Sequence, residues 1–194
     1  MNQIKVSTYI KSDLWRYAGN AGFKAFVKQF LRNPSFRYNF FLRACRCKNL
    51  ILRVFAKLFH IHLTNKYGVH IPWRAKIGYG LYIGHCTGIV INGETVIGNN
   101  CNLSQFTTIG SNHEQAAIIG DNVYIGPNVC IVENVLIGSN STIGAGAVVV
   151  KDVPENSTVA GCPAKVISMK TPGRYILNRF EELGTKKQHS TSAN

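Results

Sequence analysis

From residue 77 to residue 149 a large aliphatic side chain returns every six positions. The series runs Ile77, Ile83, Ile89, then Ile91, Ile97, Leu103, Ile109, then Ile119, Ile125, Ile131, Ile137, Ile143 and Val149, and within each of the three blocks the step does not vary. Glycine follows at positions 78, 84, 98, 110, 120, 126, 138 and 144. A period of six is neither that of a helix nor that of a plain alternating strand. It fits a coil of short flat strands joined by sharp corners, with one aliphatic pointing inward on each face. Gly98-Asn99-Asn100, Gly120-Asp121-Asn122 and Gly138-Ser139-Asn140 supply residues that tolerate left-handed backbone angles at those corners. The expected architecture is a parallel β-helix with three faces.

The series breaks phase twice. The register slips by two between Ile89 and Ile91, at "GIVINGET", and Ile109 is separated from Ile119 by ten positions instead of six. The second break predicts an extruded loop at "SNHEQAA", residues 111 to 117. A loop leaving a rigid wall is a common place for substrate contacts and equally a tolerated surface insertion.

The chain has 194 residues, enough for one core with an appendage, and its net charge of +13 is unevenly placed. Residues 1 to 66 hold 13 Lys and Arg against a single acid, Asp13. Asn33-Pro34 reads as a helix cap followed by proline at the first helical position, opening a long helix. Along it Phe36, Phe40, Cys47, Ile51, Val54 and Leu58 form an apolar stripe among Arg37, Arg43, Arg46, Lys48, Arg53 and Lys57. A preceding helix is expected from Ser12 to Leu31. The predicted organisation is a basic amphipathic helical region at 1–66, the coil at 67–168, and at 169–194 a short helix, Arg174 to Leu183, with a disordered polar tail.

Aromatics interleaved with basic residues suit a helix packed on the coil, and they also suit peripheral contact with an anionic membrane. Nucleic acid is not an expected partner, because no nucleic-acid motif accompanies the charge. No uncharged apolar run reaches the ~18 residues of a membrane span. The six cysteines match no zinc spacing and no signal peptide precedes them, so we expect reduced structural thiols, no metal and a cytoplasmic protein, one that can also sit peripherally at the inner membrane face. Cys101 and Cys130 fall in the repeat, where a small side chain fits a tight interior.

One residue does not belong to a wall. "YIGHCTGIVI" places an imidazole, His85, at a corner of the coil. By residue type alone, a corner histidine bonded to the next coil is a better reading than a catalytic one. The stretch "AKIGYGLYIGHCTGIVINGETVIGNNCNLSQFTTIG" changes the weighting, because it resembles the hexapeptide-repeat acyltransferases and, within them, the serine acetyltransferase branch.

The resemblance implies a left-handed parallel β-helix, mainly β, over about residues 68 to 168, an exception to the usual right-handed crossover. It implies that His85 is the general base that removes the acceptor hydroxyl's proton, for which imidazole is suited near neutral pH. It implies acetyl-CoA as donor, with Ala145, Lys151 and Lys165 in "IGAGAVVVKDVPENSTVAGCPAKVI" at positions that meet the pantetheine arm and its phosphates. It also implies a homotrimer whose active sites lie between adjacent coils.

Two positions depart from the branch. Its members carry an aspartate directly before the histidine and another fifteen residues earlier, whereas this chain has Gly84 and His70. His85 would then be oriented by a backbone carbonyl, by His70, or by Glu94 if a neighbouring coil brings it near, and Asn102 or Gln105 could serve neutral hydroxyls. His113 lies near, but not at, the place of a substrate-contacting histidine of the branch. Without the carboxylates an ammonium group loses its partners. The sequence therefore points first to a saccharide acceptor on a surface polysaccharide or its precursor, with serine O-acetylation as the alternative and a non-catalytic β-helical scaffold as the reading from another class.

Overall fold

The computed structural model describes residues 5–112 and 115–181. Helices α1 (Val6–Ala18), α2 (Phe23–Arg32), α3 (Pro34–Ala44) and α4 (Leu50–Tyr67) precede a coil of short strands. Its first face stacks β1 (Lys76–Ile77), β4 (Val96–Ile97), β7 (Ile118–Ile119) and β10 (Leu136–Ile137). The second stacks β2 (Tyr82–Ile83), β5 (Asn102–Leu103), β8 (Tyr124–Ile125), β11 (Thr142–Ile143), β13 (Thr158–Ala160) and β14 (Lys165–Ser168). The third stacks β3 (Val90–Ile91), β6 (Thr108–Gly110), β9 (Cys130–Val132) and β12 (Val148–Val149). All pairings are parallel except β13 with β14, which closes the top. This is the expected mainly β, left-handed parallel β-helix with an N-terminal helical region.

The repeat becomes three vertical ladders. Ile77, Ile97, Ile119 and Ile137 stack on one face, and Ile83, Leu103, Ile125, Ile143 and Val159 on the next. Ile91, Ile109, Ile131 and Val149 complete the interior. At the corners asparagine takes the left-handed conformation, at Asn100, Asn122, Asn140 and Asn156. Their amides also link vertically, Asn122 to Asn140 and Asn140 to Asn156, each at 3.1 Å. Gly98 is required by close approach rather than by its dihedral, since a Cβ there would stand 2.6 Å from the Gly120 carbonyl of the next rung.

The slip by two has a simple cause. Ile89 and Ile91 are both buried, and beneath them residues 70–71 form a half rung, with the His70 amide donating to Ile89 and the Ile91 amide to His70. Cys101 is fully buried with its thiol 3.1 Å from the Gly120 carbonyl, but Cys130 is half-buried on the outward position of β9. That corrects its expected interior placement. The period puts Ile131, not its neighbour, inside.

The helices close the lower end of the coil, where unpaired strand edges would otherwise face water. The Tyr17 hydroxyl accepts from the Ile83 amide at 2.9 Å and donates to its carbonyl at 3.1 Å. Asp13 accepts from the Leu81 amide, and Arg43 donates to the Ile77 and Gly78 carbonyls. Asp13 and Arg43 are themselves an ion pair at 2.8 Å, both almost fully buried. Burial raises the Asp13 pKa, against the opposing pull of Arg43.

Three expectations about helices are corrected. The helix predicted for Ser12 to Leu31 is two helices, broken at Gly19, which takes φ 67° as the C-cap of α1. The long helix from Pro34 starts as expected, with Asn33 accepting from the Ser35 and Phe36 amides, but ends at Ala44 and restarts after Asn49. Arg46 holds that break by donating to the Trp73 and Ala75 carbonyls. As a result Ala56, His60 and Leu63 face the coil, while Ile51, Val54 and Leu58 of the predicted stripe are exposed. The helix expected at Arg174 to Leu183 is absent among its described residues, 174–181. That segment is an irregular strap running back down the coil, tied by Asn102 to the Tyr175 carbonyl and by Asn100 to both backbone groups of Phe180. The side-chain amides of Asn100 and Asn102 thus replace helical hydrogen bonds. The predicted disordered tail, Gly184 to Asn194, lies outside the described residues. No helix among the described residues is long and apolar enough to cross a membrane.

Candidate active site

The corner after each second-face strand forms a vertical column. The Gly84 amide donates to Leu103, that of Ser104 to Ile125, that of Gly126 to Ile143 and that of Gly144 to Val159. One residue further on, His85, Gln105, Pro127 and Ala145 therefore stand above one another. His85 begins this column, exposed, and lines a cavity of about 240 Å³ with Tyr82, Gly84, Asn102, Ser104, Gln105, Tyr124 and Pro127. Among the described residues no carboxylate lines it. Among the described residues none hydrogen-bonds to the His85 imidazole within the single chain.

Gly84 lines the cavity with His85, as do Asn102 and Gln105. His70 and Glu94 do not. His70 belongs to the half rung on the third face, and Glu94 lies exposed in the turn after β3, its amide donating to Asn92. Ala145 stands three rungs above His85 at the same corner, about 14 Å away for strands spaced at 4.7–4.9 Å. Lys165 pairs with Ala160 just above, and Lys151 is exposed on the following turn. Neither lysine forms an ion pair among the described residues. In the extruded loop, Ser111 bonds the Gln115 carbonyl and Ala116 and Ala117 are buried, and the described loop residues do not line the His85 cavity. His113 falls outside the described residues. No group of three or more metal-ligating side chains occurs among the described residues.

Tyr82 and Tyr124 escaped the sequence reading although a signal was there. They occupy the position just before an inward aliphatic, in one ladder with Asn102 and Thr142. On the other two faces that outward position holds Lys76, Val96, Ile118 and Leu136, or Val90, Thr108, Cys130 and Val148. Aromatic and amide side chains collect on the second face alone.

Residues 116–151 match the family model described as bacterial transferase hexapeptide (six repeats). A solved structure of the Neisseria gonorrhoeae serine acetyltransferase in complex with serine superposes with a TM-score of 0.67 at 32% identity, covering 84% of this chain and 69% of that one. The soybean enzyme complexed with serine gives 0.69 at 30%, with the same coverage. The chain belongs to the hexapeptide-repeat acyltransferases, serine acetyltransferase-like branch. A serine acetyltransferase solved in complex with CoA superposes on this hexapeptide-repeat protein with a TM-score of 0.69 at 25% identity, over 84% of this chain and 69% of that one. In sequence, the mitochondrial serine acetyltransferase 3 of Arabidopsis thaliana is 38% identical over 122 residues, which is 61% of this chain and 31% of that protein. The Haemophilus influenzae serine acetyltransferase is 31% identical over 161 residues, 80% of this chain and 58% of its own length. This family member thus spans about a third of the plant relative and rather more than half of the Haemophilus one.

Proposed function

We propose that this protein is an acetyl-CoA-dependent O-acetyltransferase with His85 as its general base. The observation that carries the reading is the corner column: an exposed imidazole at its foot, small residues Gly144-Ala145-Gly146 three rungs up, and Lys165 at its top. An extended thioester arm lying along that edge would bring its acyl carbon to His85 and its phosphates to the lysines. His85 takes the acceptor's proton as the hydroxyl oxygen attacks the thioester carbonyl. The new C–O bond forms, the C–S bond breaks, and the departing thiolate receives the proton from the imidazolium. Exposed outward aliphatics on the other faces, such as Ile118 and Leu136, support a homotrimer, in which a neighbouring coil would cover this column.

Kinship supports L-serine as the acceptor, ahead of the saccharide that Gly84 and His70 first suggested. One observation keeps the saccharide as a second reading: among the described residues the His85 cavity is walled by tyrosine, amide and hydroxyl side chains without a carboxylate, and Asp13 is spent on Arg43. Purified protein, acetyl-CoA and a panel of acceptors distinguish the two by the rate of CoA release. His85→Ala should lower release by ~100-fold or more with whichever acceptor is used. An unchanged rate would remove the proposed mechanism.

We also propose that α4 rests on an anionic lipid surface. Leu50, Ile51, Leu52, Val54, Phe55, Leu58, Phe59 and Ile61 are all exposed on it, as are the neighbouring Lys48 and Lys66. The one acid in the helical region is buried, so a second copy would bring like charge against like charge, whereas anionic lipid complements it. Co-sedimentation with anionic vesicles at low salt, weakening at high salt, is the expected result. Protein that stays in the supernatant at low salt would refute the attachment.

A further inference from the structure

Two arginines enter the closed end of the coil, and only one is in contact with a carboxylate. Arg43 meets Asp13. Arg16, on α1 and 4% exposed, has no carboxylate within ion-pair distance among the described residues. Its hydrogen bonds go to neutral acceptors: Nε to the Leu177 carbonyl at 2.9 Å, Nη1 to the Gly80 carbonyl at 2.7 Å and Nη2 to Asn102 Oδ1 at 2.6 Å. Three of the five guanidinium N–H groups are thus used. Burial lowers Arg16 to about 10, which leaves it protonated at neutral pH.

Asp13 acts on Arg16 only from a distance, its contact being with Arg43. A cation withdrawn from water without a carboxylate in contact is destabilising, and an anion arriving beside it offsets that cost. There is room for one. Arg16 lines a cavity of about 280 Å³ together with Tyr17, Tyr82, Asn102, Tyr175, Leu177 and Asn178. Tyr82 and Asn102 also wall the His85 cavity, so the two spaces adjoin across one pair of side chains. Asn102 is bonded at both ends, accepting from Arg16 and donating to the Tyr175 carbonyl.

We propose that Arg16 is an anion-recognition residue of the acceptor site, receiving a carboxylate or phosphate group of the molecule whose hydroxyl is presented to His85. The assignment rests on the acetyl-transfer reading for the word acceptor, but not for the binding of an anion. An amino acid and a phosphorylated saccharide would supply the same chemistry from different sources.

The direct test is thermal unfolding of the full chain with inorganic phosphate against chloride at matched ionic strength. Wild-type protein should gain a saturable rise in melting temperature that Arg16→Gln lacks. Should Arg16→Gln fail to fold, Leu177→Glu serves, because Leu177 is 74% exposed and the new carboxylate would occupy the cavity while leaving the bonds of Arg16 in place. Equal stabilisation in Leu177→Glu and wild type, or no saturable effect in wild type, would overturn the site. The second arm compares KM for L-serine with L-serinamide and for N-acetylglucosamine 1-phosphate with N-acetylglucosamine. The charged member of the productive pair should be favoured by about tenfold or more, a preference that Leu177→Glu removes. Phosphate binding that depends on Arg16 without acetylation of any acceptor would sustain the anion site and defeat the acetyl-transfer reading. Acetylation with equal KM for charged and neutral acceptors would do the reverse.

Discussion

In the coil, isoleucine stands over isoleucine through four rungs, and each position tells the reader what the next rung will hold. In the helical cap only the i, i+4 step within a helix repeats: Asp13 and Tyr17 on α1 and Asn39 and Arg43 on α3 converge on the lowest strands, and nothing in the step foretells which strand group each one meets. The coil is a sum of similar layers, each contacting only its neighbours. The cap is a single termination, and a termination concentrates its energy in a few polar contacts. Damage should therefore be severe and local in the cap, and graded in the coil.

The largest expected effect follows directly. Asp13→Ala leaves the Arg43 guanidinium buried with only the Ile77 and Gly78 carbonyls and no counter-charge, and strips an acceptor from the Leu81 amide. Breaking a buried pair from one side costs about 3–5 kcal/mol. Urea denaturation should show that loss, and a change below about 1 kcal/mol would mean that the cap does not stabilise the coil's end. In the coil, Ile125→Val removes one methylene from the centre of a ladder. The expected loss is about 0.5–1.5 kcal/mol, with the same urea measurement as the check. A larger loss than that of Asp13→Ala would invert the comparison.

That contrast also explains what could be read from the sequence. The coil, its faces, its two phase breaks and His85 at a corner followed from the six-residue step, because each rung repeats the same steric problem. Tyr82 and Tyr124 are equally legible from the outward register, where they precede Ile83 and Ile125. The cap was legible only where a local signal sufficed, as at Asn33-Pro34. The break of the long helix is set by Arg46 reaching Trp73 and Ala75, and the strap by Asn100 and Asn102 reaching Phe180 and Tyr175, contacts between residues far apart in the chain. The buried, unpaired Arg16 was invisible for the same reason: in sequence it is one of 13 basic residues before position 67.

His60 sharpens the difference through pH. It lies at the junction of α4 with the coil, its ring 5.1 Å from that of Tyr38 and its Nε2 without a hydrogen-bond partner. Burial lowers its pKa below the usual 6.5. The unfolded chain then takes up the proton more readily than the folded one, so the stability is complete above about pH 6.5 and falls as the pH falls through and below that value. Urea midpoints at pH 7.5 and 5.5 should differ less in His60→Phe than in wild type. An equal difference would show that the acid sensitivity arises elsewhere.

The smallest expected effect is the most discriminating for the cap. Ile51 and Leu58 read, by spacing, as the buried stripe of a long helix, yet they are 66% and 60% exposed because the break at residues 45–49 turned α4 about its axis. A buried leucine replaced by a polar residue would cost several kcal/mol, whereas an exposed one lies within about 0.5 kcal/mol of neutral. The pair Ile51→Ser and Leu58→Ser should therefore leave the urea midpoint nearly unchanged, while weakening co-sedimentation with anionic vesicles by removing apolar contact and no charge. If the double variant instead loses several kcal/mol in free solution, that face of α4 is covered by a neighbouring subunit, and the helix is part of the assembly rather than a lipid-facing surface.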